Sequence, residues 1–142
     1  PFVIEFNVRM GDPETQVVIP LLNSSFYNLL DDCLEGKLKE TNLEISNQTA
    51  VAIVLAADGY PGKYDKCMDI SGINESNQNQ IFHAGTRFIN GSFVTSGGRV
   101  LNVIGFGDDL EKAIEDAYKL VEEVDFKGKF FRTDIGKKGL SY

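Results

Sequence analysis

Apolar and polar positions alternate at the head of the chain. Phe2, Ile4, Phe6 and Val8 interleave with Val3, Glu5, Asn7 and Arg9, a period of two that predicts a β-strand with one apolar face. Met10-Gly11-Asp12-Pro13 breaks this strand, and from Glu14 the spacing becomes helical. Val17, Val18, Leu21 and Leu22 recur at helical intervals, with Asp12 expected as N-cap, Pro13 in the first turn, and Pro20 kinking or ending the segment. A second helix is expected from Ser24 or Ser25. Phe26, Leu29, Leu30, Cys33 and Leu34 form its apolar stripe, and Gly36 stops it. Residues 37–48 are polar and aperiodic, which reads as a boundary or linker. A strand under way at the first residue suggests a piece of something larger.

Beyond residue 48 the pattern turns to β. The run 50–57, Ala-Val-Ala-Ile-Val-Leu-Ala-Ala, is continuously apolar and flanked by Asp58-Gly59 and Pro61-Gly62. An apolar run of strand length between breakers predicts a strand buried on both faces. Tyr60-Pro61-Gly62-Lys63 reads as a turn, with Tyr60 and Tyr64 packing around it. Residues 67–70 are expected as a short strand and 71–80 as a flexible polar loop. Residues 81–89 and 93–95 read as strands joined at Asn90-Gly91, a two-residue hairpin signal. Gly97-Gly98 breaks the chain again before a strand over 100–106. Asp108 or Asp109 then caps a helix whose stripe is Leu110, Ala113, Ile114, Ala117, Leu120, Val121 and Val124, with Glu111, Glu115 and Glu122 on the solvated side. A last short strand is expected within 126–131. There are no internal repeats, and short strands followed by one helix predict a small β-rich α+β module.

Composition narrows the function classes. A length of 142 residues suffices for one core and a remnant of a second. A net charge of −7 lacks the basic face that nucleic-acid backbones require. An anionic substrate would have to be caught locally, by a few Arg and Lys. Cys33 and Cys67 have no metal-ligand spacing and His83 is the only histidine, so zinc is not expected. Two free, buried thiols would fit a reducing cytosol and a cytoplasmic location. No apolar run approaches the length of a membrane span. The sequons at Asn23, Asn47, Asn74 and Asn90 read as unmodified chance occurrences.

Four features carry candidate chemistry, each with a plainer alternative. Glu5 and Asn7 offer a carboxylate and an amide oxygen that can meet one hard cation, with Arg9 beside them for a phosphate or carboxylate. The alternative is a polar stripe on an edge strand. Gly97-Gly98-Arg99 offers close backbone approach to an anion and a forked guanidinium, or else a tight turn with an exposed Arg. His83, within Ile81-Phe82-His83-Ala84, reads as a satisfied or rim histidine before a catalytic base. The basic end, 127–138, suits either contact with a neighbouring domain or local solubility.

The stretch 3–16, Val-Ile-Glu-Phe-Asn-Val-Arg-Met-Gly-Asp-Pro-Glu-Thr-Gln, resembles the metal-binding strand of the phosphoribosylamine–glycine ligase family, ATP-grasp enzymes of purine biosynthesis. That family reads E-F-N-x-R-x-G-D-P-E-T-Q here, and every fixed position matches. The similarity continues in order through Gly59-Tyr-Pro-Gly62, Phe82-His-Ala-Gly-Thr86, Gly97-Gly-Arg-Val-Leu101 and Asp134-Ile-Gly136, covering nearly the whole chain.

The resemblance implies an α+β fold in two parts. Residues 1–37 would end an ATP-grasp catalytic domain, and residues 45–142 would form a small β-barrel-like C-terminal domain, a rudimentary hybrid motif with one long helix. It implies an ATP-dependent ligase joining glycine to 5-phosphoribosylamine through a glycyl phosphate, giving glycinamide ribonucleotide, ADP and phosphate. Carried over by position, Glu5 and Asn7 match ligands of Mg²⁺ (or Mn²⁺), Arg9 a catalytic Arg at the transferring phosphoryl, and Gly97, Gly98 and Arg99 a site for the substrate 5-phosphate. Glu14 has a structural reading as well, at a helix start. Family members are much longer, and their N-terminal and ATP-grasp portions are the expected partners, together with glycine, 5-phosphoribosylamine and ATP. Nucleic acid and membrane are not. The isolated chain, lacking an adenine pocket and phosphate-covering lid, is expected to be inactive. A biotinyl or lipoyl carrier fails because the hairpin tip is Asn90-Gly91 and not a modifiable Lys. A non-catalytic β-rich structural or interaction module remains the alternative.

Overall fold

A computed structural model describes residues 2–4, 6 and 8–141. It divides into two units, Pro1–Asn47 and Gln48–Tyr142, each taken by itself below.

In the first unit the expected opening strand is not formed among the described residues. Its described residues carry no strand pairing, and Phe2 and Ile4 are almost fully exposed. An alternating pattern needs a neighbouring ladder to become a strand, and no described residue of this unit supplies one. Helix α1 spans Glu14–Val18 with Pro13, not Asp12, at its N-cap. The Asp12 carboxylate instead accepts from Nε2 of Gln16 at 3.1 Å. Pro20 ends α1 as expected, the chain tightening into a 3₁₀ turn over Ile19–Leu21. Helix α2 spans Phe26–Leu34, and Ser25 Oγ accepts from the Asn28 N–H at 3.3 Å. Gly36 leaves it with a positive φ of 70°. The stripe of α2 is not buried: Phe26, Leu30, Leu34 and Cys33 are all exposed. The expectation of a buried thiol at Cys33 is thereby corrected, because the described part of this unit has no core for that stripe to face. The polar stretch after α2 is tied back by a Leu22–Ile45 bridge and by Ser46 N–H donating to Leu21 O at 2.7 Å.

In the second unit the apolar run becomes strand β1, Thr49–Ala57. Strand β2 is Ile81–His83, β3 Thr86–Ile89, β4 Ser92–Thr95, β5 Arg99–Gly107 and β6 Lys129–Phe130, with helix α3 over Leu110–Glu123 between β5 and β6. Four strands form one sheet in the order β2-β5-β1-β6, with antiparallel ladders throughout. β3 and β4 form a separate ribbon, turned at Asn90 (φ 52°) and Gly91 (φ 87°), the hairpin that Asn-Gly predicts. The sheet stays open, so the fold is a small mixed α/β one and the expected barrel closure is absent from the described strands. Ile53, Leu55, Leu101 and Val103 are fully buried in one core with Ala113, Ala117 and Val121 of α3. Gly105 and Gly107 let the helix lie against β5: a Cβ on Gly105 would stand 2.6 Å from Ala117 Cα.

Three local expectations change. The single strand over 81–89 is split at Ala84-Gly85, where the Gly85 peptide turns to the start of β5. Residues 67–70 form no named strand but lie along β4, with Ile70 N–H donating to Phe93 O and Thr95 N–H to Met68 O, both at 2.9 Å; Cys67 is exposed, not buried. The loop 71–80 is anchored, because Asn77 is 1% exposed and its Nδ2 donates to Gly72 O at 2.8 Å and to Glu123 at 3.2 Å.

Asp116 of α3 accepts from the Phe106 N–H and from Gln80 Nε2, both at 2.9 Å, tying helix, strand and loop together. Asp116→Ala leaves the Phe106 N–H without this acceptor and Gln80 Nε2 with Ile104 O alone, at 3.0 Å. An unsatisfied, half-buried donor predicts a loss of about 2 kcal/mol in chemical denaturation. A loss under about 0.5 kcal/mol would show that the network contributes nothing net.

Candidate functional site

One end of the sheet gathers three of the glycine-bearing motifs. β1 leaves the sheet at Ala57, and its N–H donates to Gly98 O at 2.8 Å. The next residue, Asp58, donates its N–H to Gly128 O at 2.7 Å. The turn that follows carries Tyr60, whose ring lies on Gly98, and Tyr64, edge-on to Tyr60 at 6.1 Å between centroids. On the β5 side, the Gly85 N–H donates to Arg99 O at 2.8 Å and to Val100 O at 3.1 Å. The Gly85 carbonyl accepts from Ser96 N–H at 2.7 Å and Gly97 N–H at 3.1 Å. Gly85 and Gly97 meet backbone to backbone, a Cβ on Gly97 standing 3.0 Å from Gly85 Cα. Gly59–Gly62, Gly85 and Gly97–Arg99 are therefore parts of one structure.

The candidate residues divide as follows. Arg99 is exposed at the start of β5, directly after a turn held by those contacts. Gly97 gives its N–H to Gly85, and Gly98 is buried under Tyr60. The two glycines thus shape the turn that presents Arg99. Arg9, in the first unit, is exposed and donates to Met10 O at 2.7 Å. Glu5 and Asn7 lie outside the described residues. Among the described residues no His, Cys, Asp and Glu group is placed to hold a metal ion. The sequence reading missed the cleft beside the Tyr60 turn, about 530 Å³, lined by Asp58, Gly62, Lys63, Tyr64, Asp65 and Lys66. The breakers Asp58-Gly59 and Pro61-Gly62 marked the turn, but not that its charged residues surround a hollow.

His83 ends β2 with Nδ1 3.0 Å from Thr86 Oγ1 and its ring tilted over Phe93 at 4.3 Å. Desolvation lowers its pKa below the ordinary value near 6.5. The unfolded chain therefore binds this proton first as pH falls, and His83 subtracts stability as the solution is acidified through about pH 6.5. A nuclear magnetic resonance titration of the ring should give a midpoint below that of an unfolded control. A midpoint above it would contradict the desolvated environment.

Among the described residues no helix is long and apolar enough to cross a membrane. Residues 50–138 match the family model described as "Phosphoribosylglycinamide synthetase, C domain". The chain is 48% identical to the phosphoribosylamine–glycine ligase of Fusobacterium nucleatum, over 95% of this chain and 33% of that protein. It is 45% identical to the enzyme of that name from Caldanaerobacter subterraneus, over 95% of this chain and 32% of that protein. A crystal structure of phosphoribosylamine–glycine ligase from Thermotoga maritima superimposes with a TM-score of 0.82 at 41% identity, covering 95% of this chain and 33% of that one. The chain spans about a third of the length of these relatives. With the match running from β1 to the residues after β6, the chain belongs to the phosphoribosylglycinamide synthetase family, whose C domain its second unit carries.

Proposed function

We propose that the chain is the C-terminal part of an ATP-dependent phosphoribosylamine–glycine ligase of purine biosynthesis, acting in the cytoplasm. The observation that carries this is the family match over 50–138, borne by a unit in which three motifs meet around Arg99. Residues 1–37 would complete an ATP-grasp domain, and residues 45–142 the C-terminal domain. The open sheet and its ribbon then stand for the barrel-like hybrid motif of such enzymes. Arg99, on its pinned turn, would take the 5-phosphate of phosphoribosylamine, a planar forked donor meeting phosphate oxygens. Arg9 would stabilise the transferring phosphoryl or the glycyl phosphate. The donor chemistry of Glu5 and Asn7, a carboxylate and an amide oxygen, fits a hard divalent cation such as Mg²⁺ or Mn²⁺. When bound, that ion would neutralise ATP phosphate charge during transfer to the glycine carboxylate.

The test compares two polypeptides. A full-length ligase carrying this segment should release ADP only when glycine and phosphoribosylamine are both present, while the 142-residue chain alone releases none. ADP release by the chain alone would refute the division of labour. No release by the full-length protein would favour a non-catalytic β-rich interaction module. In the active protein, Arg99→Ala should raise the phosphoribosylamine KM by about 10- to 100-fold, the range for losing a charge-assisted phosphate contact. An unchanged KM removes Arg99 from the site.

A further inference from the structure

The residue packed against Gly98 has a role that turn packing alone does not account for. Gly98 is buried, and a Cβ built on it would stand 2.6 Å from Cε2 of Tyr60 and nearer still to Cδ2. The ring therefore occupies the place where a side chain at residue 98 would go. Tyr60 is nonetheless 42% exposed, so it is no ordinary core filler. It reaches from a surface turn onto the backbone of the residue that precedes Arg99. Two further restraints act on the same turn: the Ala57 N–H on Gly98 O, and the Gly85 peptide bonded to residues 96, 97 and 99. Tyr64, edge-on to Tyr60, limits where that ring can go.

A guanidinium sits on a long, freely rotating stem. It binds an anion well only where the root of that stem is fixed beforehand, because otherwise ordering the backbone is charged against binding. The Gly85 hydrogen bonds fix the peptides around Arg99 along the strand direction. The Ala57 N–H holds the Gly98 carbonyl, and the Tyr60 ring closes the remaining side of the turn, the space beside the Gly98 Cα. We propose that Tyr60 is a positioning residue for Arg99, its ring face holding the 97–99 turn so that the guanidinium is aimed at the phosphate of the substrate. What acts is the flat ring and not the hydroxyl. This inference rests on the phosphate role given to Arg99 above.

Steady-state kinetics of the full-length ligase test it with Tyr60→Ala, Tyr60→Leu, Tyr60→Phe and Arg99→Ala. Tyr60→Ala should raise the phosphoribosylamine KM about tenfold, with kcat and the ATP and glycine KM values within about twofold of the parent. Tyr60→Phe should restore the parent KM. Should Tyr60→Ala fail to fold, Tyr60→Leu keeps apolar cover without a flat ring and should show the same selective rise. Because Tyr60 acts through Arg99, the double variant Tyr60→Ala/Arg99→Ala should be no worse than Arg99→Ala alone. Multiplying defects, an unchanged KM in Tyr60→Ala or Tyr60→Leu, or equal losses for all three substrates would each overturn the positioning role. An Arg99→Ala enzyme with an unchanged KM would remove the phosphate reading itself, whereas the other failures leave that reading standing.

Discussion

Gly105→Ala should cost the second unit about 4 kcal/mol or leave it unfolded. Gly105 lies in β5 directly beneath α3, and a Cβ there would collide with Ala113 O and Ala117 N and stand 2.6 Å from Ala117 Cα. All three are helix backbone atoms, so no rotamer change relieves the clash and α3 must lift from the sheet. Lifting it separates Ala113, Ala117 and Val121 from Leu55, Leu101 and Val103. Overpacking commonly costs 1–3 kcal/mol, and more where the backbone must move. For a unit of this size, about 4 kcal/mol lowers Tm by roughly 15–30 °C. The matched control is Gly91→Ala. There φ is +87° but no atom lies within 4 Å of the added Cβ, so only the left-handed backbone penalty of about 1 kcal/mol applies. Equal Tm values for the two variants would show that helix–sheet contact at Gly105 is not the constraint.

That contrast explains which parts of the fold were legible in the sequence. Features set by neighbours along the chain read correctly: the Asn90-Gly91 hairpin, the Asp109 cap with its Oδ1 accepting from Lys112 N–H at 2.8 Å, and β1 as a strand. That strand is buried on the Val51, Ile53 and Leu55 face and only half-buried at Ala50, Ala52 and Val54, not buried on both faces as expected. Features set by distant residues did not. Gly97-Gly98 was legible as a break, but not that Gly85 and Tyr60 close on it, because a missing side chain does not reveal what occupies its place. The loop 71–80 looked mobile from its polar composition, yet Asn77 finds its partner on α3. The opening alternation and the α2 stripe failed for a different reason: both patterns are present, but their own unit offers no described surface to bury them on.

The candidate site divides along the same line. The motif order was enough to suggest the family, and residues 50–138 match its C domain. Arg99 was singled out because an Arg after two glycines is a local signal for an anion. Tyr60 was read only as packing within its own turn, since its contact with Gly98 lies in a distant turn, between β4 and β5. Glu5 and Asn7 fall outside the described residues, so their assignment as metal ligands still rests on the resemblance and on donor chemistry.

Leu55→Ala and Leu101→Ala should each cost about 3 kcal/mol. The two side chains are fully buried and pair directly across the β1–β5 ladder. Each deletion loses transfer free energy and leaves a cavity that a close-packed sheet and helix cannot fill. Either loss is a large fraction of the 5–15 kcal/mol that holds a typical domain together. Because the pair shares a contact, the first deletion already forfeits part of what the second would lose. The double variant should therefore fall short of the sum by about 0.5–1 kcal/mol in urea denaturation. Full additivity would show that the two leucines do not bear on each other, and losses near 1 kcal/mol would show that the cavities collapse. The pair also lies immediately before the register shift between Leu55 and Ala56, where Ala56 comes to face Arg99. Hydrogen exchange at the amides of Ala56 and Ala57 should accelerate in both single variants ahead of exchange at Val51, at the far end of the same strand. The rigidity of the turn that carries Arg99 would then originate in this leucine pair as well as in the glycines above it.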